Sequence, residues 1–324
     1  MIKAGPHSTV TLLLALVGNC LFLAPVMAAD RGPHDWLDRM SSAVQTTDYQ
    51  GTVIRISDGR AEALKIVHSV SDGVIREKVI AQEGNGLEII RNGNEVHCIL
   101  PARKSVLVEE WNDQSTLFST LPSSNMRFGN EYDVKIVAKE RVAGRETVEL
   151  AIKPHDVYRY EHRVWLDVDT GFPLQTQLID DDGSALEQVK FADISLGRKI
   201  KASALKPSYS TENFKWYNQP RRRVTPVVDS VWQSTDLPIG FVLISAQQEV
   251  MPGTDEAVTH ILYSDGLANV SVFIAAHANK KVSERSRVGA SNSYSTVIDS
   301  YRITAVGEVP AITVEQVASS MRLR

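Results

Sequence analysis

The chain has little cysteine: only Cys20 and Cys98 occur among its 324 residues. Cys20 lies in an apolar N-terminal stretch that is predicted to be removed, so the mature chain keeps one cysteine and cannot form an intramolecular disulfide. Stability must therefore come from apolar burial, which a chain of this length can supply. Cys98 lies in the alternating run 95–100, which predicts a small apolar strand residue rather than a reactive thiol.

Catalytic motifs are also lacking. The sequence has no Gly-x-Ser-x-Gly turn and no glycine-rich phosphate loop. Ser264-Asp265-Gly266 resembles one motif of penicillin-binding enzymes, but no Lys-Thr-Gly strand accompanies it, and the Ser-x-x-Lys letters at 203–206 lie in a basic segment. Residues 264–266 therefore predict a turn between two strands. We expect no catalytic residue.

Metal-binding patterns are absent from the sequence as well. The histidines do not have the spacing of metal ligands. Asp180-Asp181-Asp182-Gly183 resembles the start of a calcium loop but lacks the distant glutamate of that loop. It predicts a charged hairpin turn instead. We expect neither a metal nor a cofactor.

The N-terminus predicts export. Lys3 precedes an almost wholly apolar run from Val10 to Val26, which ends at Val26-Met27-Ala28. This order is typical of a signal peptide, residues 1–28. The alternatives are an uncleaved membrane anchor and lipidation at Cys20, although Asn19 stands where a lipoprotein signal needs a small residue.

After the leader, the periodicity predicts one helix followed by many strands. Trp36, Leu37, Met40 and Val44 recur on one helical face. After Gly51 the period changes to two, which predicts a meander of antiparallel strands. Between these strands lie residues that tolerate positive φ in hairpin turns: Asp58-Gly59, Asp72-Gly73, Gly84-Asn85-Gly86 and Asn92-Gly93-Asn94.

One segment, 111–130, is too apolar for an ordinary surface loop, and we expect it to cover one face of the sheet. Strand-like alternation resumes after it. Its large apolar residues are Trp111, Leu117, Phe118, Leu121, Met126 and Phe128.

Residues 197–223 differ in charge from the blocks on either side. They carry eight basic residues against Glu212, a net charge of +7, whereas residues 29–196 carry −9 and residues 224–324 carry −3. This indicates an interdomain linker. Its cations alternate with aromatic residues, which suits phosphates, acidic peptides or anionic headgroups. An open, solvated linker explains the charges equally well.

The last block again predicts strands and a closing helix. "NVSVFI" places Val270, Val272 and Ile274 on one face of a strand, with Ser271 and Phe273 on the other. Thr313 and Gln316 indicate a capping box at the start of the helix.

The order of these features resembles one family, the periplasmic RseB and MucB regulators of the sigma-E envelope-stress response. The similarity extends over the whole mature chain and depends on many short matches rather than on one motif. In the first domain these are Tyr49-x-Gly51, Arg141-x-Ala143-Gly144-Arg145, Arg159-Tyr160, Trp165-Leu166-Asp167, Thr170-Gly171-x-Pro173-Leu174, Gly183, Glu187 and Phe191. In the second they are Trp232, Leu237-Pro238-x-Gly240-Phe241, Tyr263-x-Asp265-Gly266-Leu267, Ser271-Val272-Phe273-Ile274 and Val306-Gly307-Glu308-Val309-Pro310. Ala275 departs from the pattern, in which an acidic residue often follows Phe-Ile.

The resemblance implies an α+β fold that is mostly antiparallel β. Residues 29–196 form an open half-barrel with covering helices, like the lipoprotein carriers LolA and LolB. Residues 197–223 are the basic linker, and residues 224–324 form a smaller antiparallel sheet domain with a helix. A half-barrel leaves a concave apolar face on which acyl chains can be buried, although the same residues can equally close the core and leave no cavity.

The resemblance also implies a periplasmic negative regulator that binds the periplasmic domain of an RseA- or MucA-type anti-sigma factor, shields it from proteolysis, and releases it when lipid, lipopolysaccharide or mislocalised lipoprotein is bound. The alternative is a periplasmic lipid or lipoprotein carrier. A homo-oligomer is compatible with the sequence, and nucleic acid is not expected as a partner of an exported protein.

The candidate lipid-binding residues are Trp111, Leu117, Phe118, Phe128 and Trp165. The candidate partner-binding residues are Arg221, Arg222, Arg223, Trp232, Phe241, Tyr263 and Phe273.

Overall fold

The computed structural model describes Met1 and residues 31–110, 121, 130–218, 224–227, 230–250, 257–276 and 283–324. The predicted signal peptide and nearly all of the apolar segment 111–130 lie outside these ranges. Residues 32–324 form one compact unit, and its two sheets are described in turn.

The predicted first helix is present as α1, Pro33–Thr46. Proline stands in its first turn, where the missing N–H costs nothing, and the Asp35 carboxylate accepts a hydrogen bond from the Gly32 N–H at 3.0 Å. The predicted apolar face is confirmed, because Trp36, Leu37 and Met40 are buried while Val44 packs against the same core.

The first sheet is an open meander, as the alternating runs predict. Its strands lie in the order β12-β6-β5-β4-β3-β2-β1-β11-β10-β9-β8-β7, and every pair is antiparallel except β12 with β6. The strands are β1 (Tyr49–Ser57), β2 (Arg60–Ser71), β3 (Val74–Ala81), β4 (Glu88–Asn92), β5 (Glu95–Leu100), β6 (Ser105–Glu110), β7 (Tyr132–Val142), β8 (Arg145–Pro154), β9 (Glu161–Asp167), β10 (Pro173–Ile179), β11 (Ala185–Leu196) and β12 (Lys215–Asn218).

The hairpin turns lie where the sequence predicts them. Asp58 and Gly59 adopt φ of 50° and 69°, and Asp72 and Gly73 adopt 53° and 75°. Two consecutive residues with positive φ give the tight turn that matches strand twist. The three aspartates at 180–182 lie in the turn between β10 and β11, where Asp182 accepts a hydrogen bond from the Ser184 N–H at 2.8 Å.

One face of the first sheet is covered by α1. The helix contributes to two adjoining clusters of buried side chains, one around Phe172 and Phe191 and one around Leu150 and Leu166. Apolar burial of this kind contributes about 25 cal/mol per Å² and is the main stabilising term in a fold without disulfides.

Hydrogen bonds to the buried Asp167 carboxylate hold the turn at one end of this sheet. The Asp167 carboxylate, 1% exposed, accepts hydrogen bonds from Arg145 Nε at 2.6 Å and from Thr170 Oγ1 at 2.7 Å. Burial opposes ionisation of Asp167, but these bonds outweigh it and hold the pKa of the carboxyl below its usual value. They tie the β9–β10 turn to β8.

The basic segment is held against the first sheet as far as Asn218. It contains a short 3-10 helix, Ala202–Leu205, and its last described residues form β12 at the sheet edge. The Lys78 ammonium donates to the Lys206 carbonyl and to Ser208 Oγ, both at 2.7 Å, and lies 3.2 Å from the buried Glu88 carboxylate. The basic segment 197–223 is therefore not an open solvated linker in its described part, because Lys78 and Glu88 bind residues 206 and 208 and β12 pairs with β6.

The second sheet has the order β13-β15-β16-β17-β20-β19-β18 and packs against one helix. A two-stranded ribbon, β14 with β21, lies beside it. The elements are β13 (Val224–Pro226), β14 (Trp232–Ser234), β15 (Val242–Val250), β16 (Ala257–Ser264), β17 (Asn269–Ala275), β18 (Glu284–Val288), β19 (Ser291–Ile298), β20 (Tyr301–Gly307), α2 (Ala311–Ser319) and β21 (Met321–Leu323).

The closing helix is confirmed, but its predicted capping box is wrong. The helix α2 begins three residues earlier than the box requires, with Pro310 at the N-cap and no side-chain cap. Thr313 is fully buried, and its hydroxyl donates to the Tyr158 carbonyl at 2.7 Å. The Thr313 hydroxyl, which the local sequence predicts as a helix cap, therefore forms a tertiary hydrogen bond instead.

Candidate functional site

The Ser-Asp-Gly letters form a turn, as predicted, between β16 and β17. Ser264 Oγ donates to the Ala268 carbonyl at 3.0 Å and accepts from the Gly266 N–H at 2.9 Å. Asp265 Oδ1 accepts from the N–H groups of Leu267 and Ala268 at 2.9 and 2.7 Å. These bonds fix the direction of the Asp265 carboxylate. Residues 264–268 are called the Asp265 turn below.

The other oxygen of Asp265 points into the first sheet. Asp265 Oδ2 accepts a hydrogen bond from the Tyr132 hydroxyl at 2.8 Å and another from Arg159 Nε. Tyr132 opens β7, and Arg159 precedes β9. The turn therefore joins the two sheets through a charged contact, which we call the seam.

Arg159 is the centre of the seam. Its side chain is fully buried, and its two terminal nitrogens donate to the Asp156 carboxylate and to the Ile239 carbonyl. Its guanidinium carbon lies 4.8 Å from the centre of the Phe241 ring. Burial opposes the charge of this side chain, but the hydrogen bond and charge of Asp265 outweigh burial and raise the pKa of the guanidinium.

Apolar and polar contacts extend the seam on both sides of Arg159. Leu267, 5% exposed, belongs to the buried cluster of α1, β7, β8 and β9 rather than to the core of its own sheet. Asn292 Nδ2 donates to the Tyr160 hydroxyl at 2.9 Å. The Gly289 N–H donates to the Asp58 carboxylate at 2.8 Å. The sheets are therefore docked at several points along their contact.

Gly240 is required by the approach of the two sheets. Its φ is +89°, and a Cβ there would lie 2.9 Å from the side chain of Glu131 and 3.0 Å from an Arg159 nitrogen. A residue with a side chain would thus be strained and would press against the buried guanidinium. The close approach of the two sheets at the seam explains why glycine occupies position 240 in the family-like stretch Leu237-Pro238-x-Gly240-Phe241.

A polar cleft of about 410 Å³ opens beside the seam, between the β1–β2 and β18–β19 hairpins. Arg55 Nε pairs with the Glu187 carboxylate at 2.9 Å across it. Four carboxylates and two guanidinium groups line the cleft, which leaves an excess of negative charge: Asp58, Glu62, Glu187, Glu308, Arg55 and Arg60. An anionic headgroup is therefore not favoured there.

Most of the predicted aromatic contact residues that the structure describes are core residues. Trp165 is buried in the first sheet, where its indole N–H donates to Glu140 at 3.0 Å. Trp232, Phe241 and Tyr263 are buried in the core of the second sheet. Their assignment to lipid or partner binding stays a prediction. The remaining candidates, Trp111, Leu117, Phe118, Phe128, Arg221, Arg222 and Arg223, lie outside the described residues.

Phe273 differs from these core residues because it is half-buried and stacks on His260 with ring centres 4.5 Å apart. The predicted faces of β17 are confirmed, since Val270, Val272 and Ile274 are buried while Ser271 and Phe273 face the other way. Of the predicted partner-binding residues that the structure describes, only Phe273 is therefore accessible to a partner.

Cys98 is half-buried on β5, between Ile89 and Leu107. Burial and the nearby Glu109 raise the pKa of its thiol. A raised pKa keeps the sulfur protonated at neutral pH and lowers its reactivity.

Ser264→Ala tests the turn without touching the charged contact. The variant loses two hydrogen bonds of a buried hydroxyl, so we expect unfolding free energy to fall by about 1 kcal/mol. Binding to a protein partner should change by less than about twofold, since Asp265 keeps its own bonds. Urea unfolding and a binding titration measure the two effects. A large loss of binding without a loss of stability would assign Ser264 a direct role.

No helix in the described part of the chain combines the length and apolar character needed to cross a membrane.

Both sheets match known protein families. Residues 32–209 match the MucB/RseB N-terminal domain, and residues 227–322 match the MucB/RseB C-terminal domain. The sigma factor AlgU regulatory protein MucB of Pseudomonas aeruginosa is 31% identical over 318 residues, covering 96% of this chain and 97% of that protein. The sigma-E factor regulatory protein RseB of Escherichia coli is 26% identical over 313 residues, covering 95% and 96%.

A solved structure shows the same fold. In the complex structure of Pseudomonas aeruginosa MucA/MucB, a chain that is 30% identical superposes with a TM-score of 0.69, covering 90% of this chain and 99% of that one. The two matched domains together account for most of the sequence. This chain therefore belongs to the MucB/RseB family.

Proposed function

We propose that this protein is a periplasmic negative regulator of sigma-E signalling that binds the periplasmic domain of an RseA/MucA-type anti-sigma factor and shields it from proteolysis. The observation that carries the proposal is the MucA/MucB complex, in which a relative with the same two-domain fold is seen with MucA. The predicted signal peptide, residues 1–28, supports a periplasmic location.

The geometry supports binding rather than chemistry. The side chains of Arg159 and Asp265 at the centre of the seam are buried, so they are available to each other and not to a substrate. A buried ion pair with this many hydrogen bonds fixes orientation more than it adds stability. The docked pair of sheets therefore offers a partner one preformed surface composed of both domains.

A pull-down from envelope extract separates this proposal from the carrier alternative. The mature protein, residues 29–324, is immobilised and the captured proteins are identified. Recovery of an anti-sigma factor with a periplasmic domain supports the regulator. Recovery of lipoproteins alone would contradict it and support a carrier of the LolA/LolB type.

Release by a lipid signal is the finer part of the proposal. The parallel register of β12 on β6 sets Asn218 beside Val108. Trp111 follows Val108 by three residues, and Arg221 follows Asn218 by three. The apolar segment and the arginine cluster thus follow, in the sequence, two residues that are paired at one sheet edge. This pairing motivates a coupling between an acylated ligand and the anti-sigma partner.

We expect an acylated ligand, lipopolysaccharide or a diacylated peptide, to weaken binding of the anti-sigma periplasmic domain about tenfold. This corresponds to about 1.4 kcal/mol of coupling free energy. The affinity is measured by titration with and without ligand, and the same peptide without acyl chains is the control. The variant Arg221→Ala/Arg222→Ala/Arg223→Ala should respond less than wild type. An unchanged wild-type affinity would exclude the coupling.

A further inference from the structure

The second sheet has an apolar strand end that is open on both faces. β15 begins with Val242, Leu243 and Ile244, which are 56%, 51% and 56% exposed. Burial along this strand begins only at Ala246, 8% exposed. Three consecutive apolar residues with half their surface in water are unusual in a strand, where one face normally packs.

Among the described residues, the backbone of this strand end has a strand partner on one side only. Val242, Leu243 and Ser245 pair with β16 on one side. On the other side β13 pairs only with residues 247–249, and the Val227 N–H donates to the Ala246 carbonyl at 2.8 Å. Within the described ranges, no strand pairs with residues 242–245 on that side. Residues 242–245 are called the open edge below.

The opposite edge of the same sheet is protected. On β18, Glu284, Arg285 and Arg287 are exposed, and Arg285 pairs with Glu315 at 2.7 Å. Charged side chains on an edge strand prevent pairing with another chain. Residues 239–246 contain no charged side chain at all. Charge thus protects one edge of the sheet, whereas residues 242–245 carry no charge and have a register shift between Leu243 and Ser245, where an added strand must follow a bulged backbone.

The open edge is continuous with the seam. Val242 pairs with Ser264, the residue before Asp265. Ile239, 81% exposed, accepts the Arg159 hydrogen bond through its carbonyl. A segment that binds along residues 242–245 therefore contacts a strand whose position is set by the docking of the two sheets.

We propose that the open edge binds an extended, uncharged apolar segment of the anti-sigma partner's periplasmic domain as an added β-strand. This inference depends on the proposed function. Added strands gain affinity from backbone hydrogen bonds and selectivity from alternate side chains, and here three of the four side chains are apolar, with Ser245 the exception. The absence of charge selects an uncharged segment over an acidic or basic one.

A second copy of this chain fits the open edge less well. Pairing two copies through residues 242–245 buries four residues of each chain, whereas a stable interface buries about 800 Å² on each partner, or about 20–30 residues. A partner that already contacts other parts of the protein needs only a short added strand. The four-residue length therefore favours one segment of a larger partner.

The variant Val242→Lys/Ile244→Lys tests this proposal. Both side chains are exposed, so the fold should persist, and a thermal melt checks it. The purified anti-sigma periplasmic domain is titrated into the mature protein. We expect binding at least tenfold weaker than wild type. The matched control is Val288→Lys on the opposite edge, where valine is 75% exposed, and we expect it to bind within twofold of wild type.

Hydrogen exchange of the wild-type complex gives a second readout that needs no variant. Strand addition predicts slower exchange of amides among residues 242–245 when the partner is bound. If the partner binds wild type, yet the double variant binds equally well and these amides stay unprotected, the inference is wrong and the proposed function stands. If wild type does not bind the partner, both fail. If the lysines dissociate a homodimer and leave partner affinity unchanged, a second copy occupies the edge and the inference is overturned.

Discussion

Asp265→Asn should lower the free energy of unfolding by about 3 kcal/mol. The substitution keeps the size of the side chain but removes the charge opposite a fully buried guanidinium. Removing one partner of a buried ion pair costs about 3–5 kcal/mol, because the remaining charge stays desolvated without compensation. Asp156 still contacts Arg159 in the variant, which places the expected loss at the lower end. Urea unfolding monitored by tryptophan fluorescence measures it.

The matched control for this substitution is Asp236→Asn. Asp236 lies in an exposed loop of the same domain, and its hydrogen bonds to Ser234, Gln316 and Ser320 use its backbone groups rather than its carboxylate. We expect a change within about 0.5 kcal/mol, as for surface substitutions in general. If both variants unfold at the same urea concentration as wild type, the seam does not hold the sheets together.

Leu267→Ala should destabilise the protein by about 2–4 kcal/mol. The leucine is carried by the second sheet but buried among residues of the first, including Trp36, Tyr132 and Leu150. Its removal loses apolar burial and leaves a cavity, which together cost about 2–5 kcal/mol in protein cores. Because the cavity lies between the sheets, hydrogen exchange should also quicken at the Asp265 turn. Thermal unfolding and exchange measure the two effects.

Leu323→Ala is the control for the leucine. Leu323 lies on β21 and is 45% exposed, so its truncation should change unfolding free energy by less than about 0.5 kcal/mol. A Leu267→Ala variant as stable as this control would mean that Leu267 does not pack between the domains. A destabilised variant whose turn exchanges no faster would place the loss elsewhere in the fold.

The strands of both sheets follow from local sequence. Alternation and turn pairs such as Asp58-Gly59 act within a few residues, and the structure has hairpins at these places. The face of β17 could be predicted for the same reason, because strand periodicity alone decides it.

The seam could not be predicted in this way. The Arg159–Asp265 contact joins residues 106 positions apart, and the Tyr132–Asp265 contact joins residues 133 apart. A hydrophilic arginine in the sequence gives no sign of complete burial. Sequence similarity marked Arg159-Tyr160 and Asp265-Gly266-Leu267 as matches without indicating that they meet.

For a related reason, composition alone cannot assign an aromatic residue to a partner contact or to the core. Trp232 and Tyr263 suit an interface by composition, but the same side chains fill the core of the second sheet. The run Val242-Leu243-Ile244 breaks strand alternation, but local sequence cannot distinguish an apolar run exposed at a strand end from one buried on both faces.

The central claim is that this protein binds the periplasmic domain of an RseA/MucA-type anti-sigma factor. Isothermal titration calorimetry of the mature protein with that purified domain from the same organism tests it most directly. We expect saturable binding with a Kd of about 1 µM or tighter, equivalent to about −8 kcal/mol. The absence of saturable binding at protein concentrations of about 100 µM, with both proteins folded, would contradict the claim.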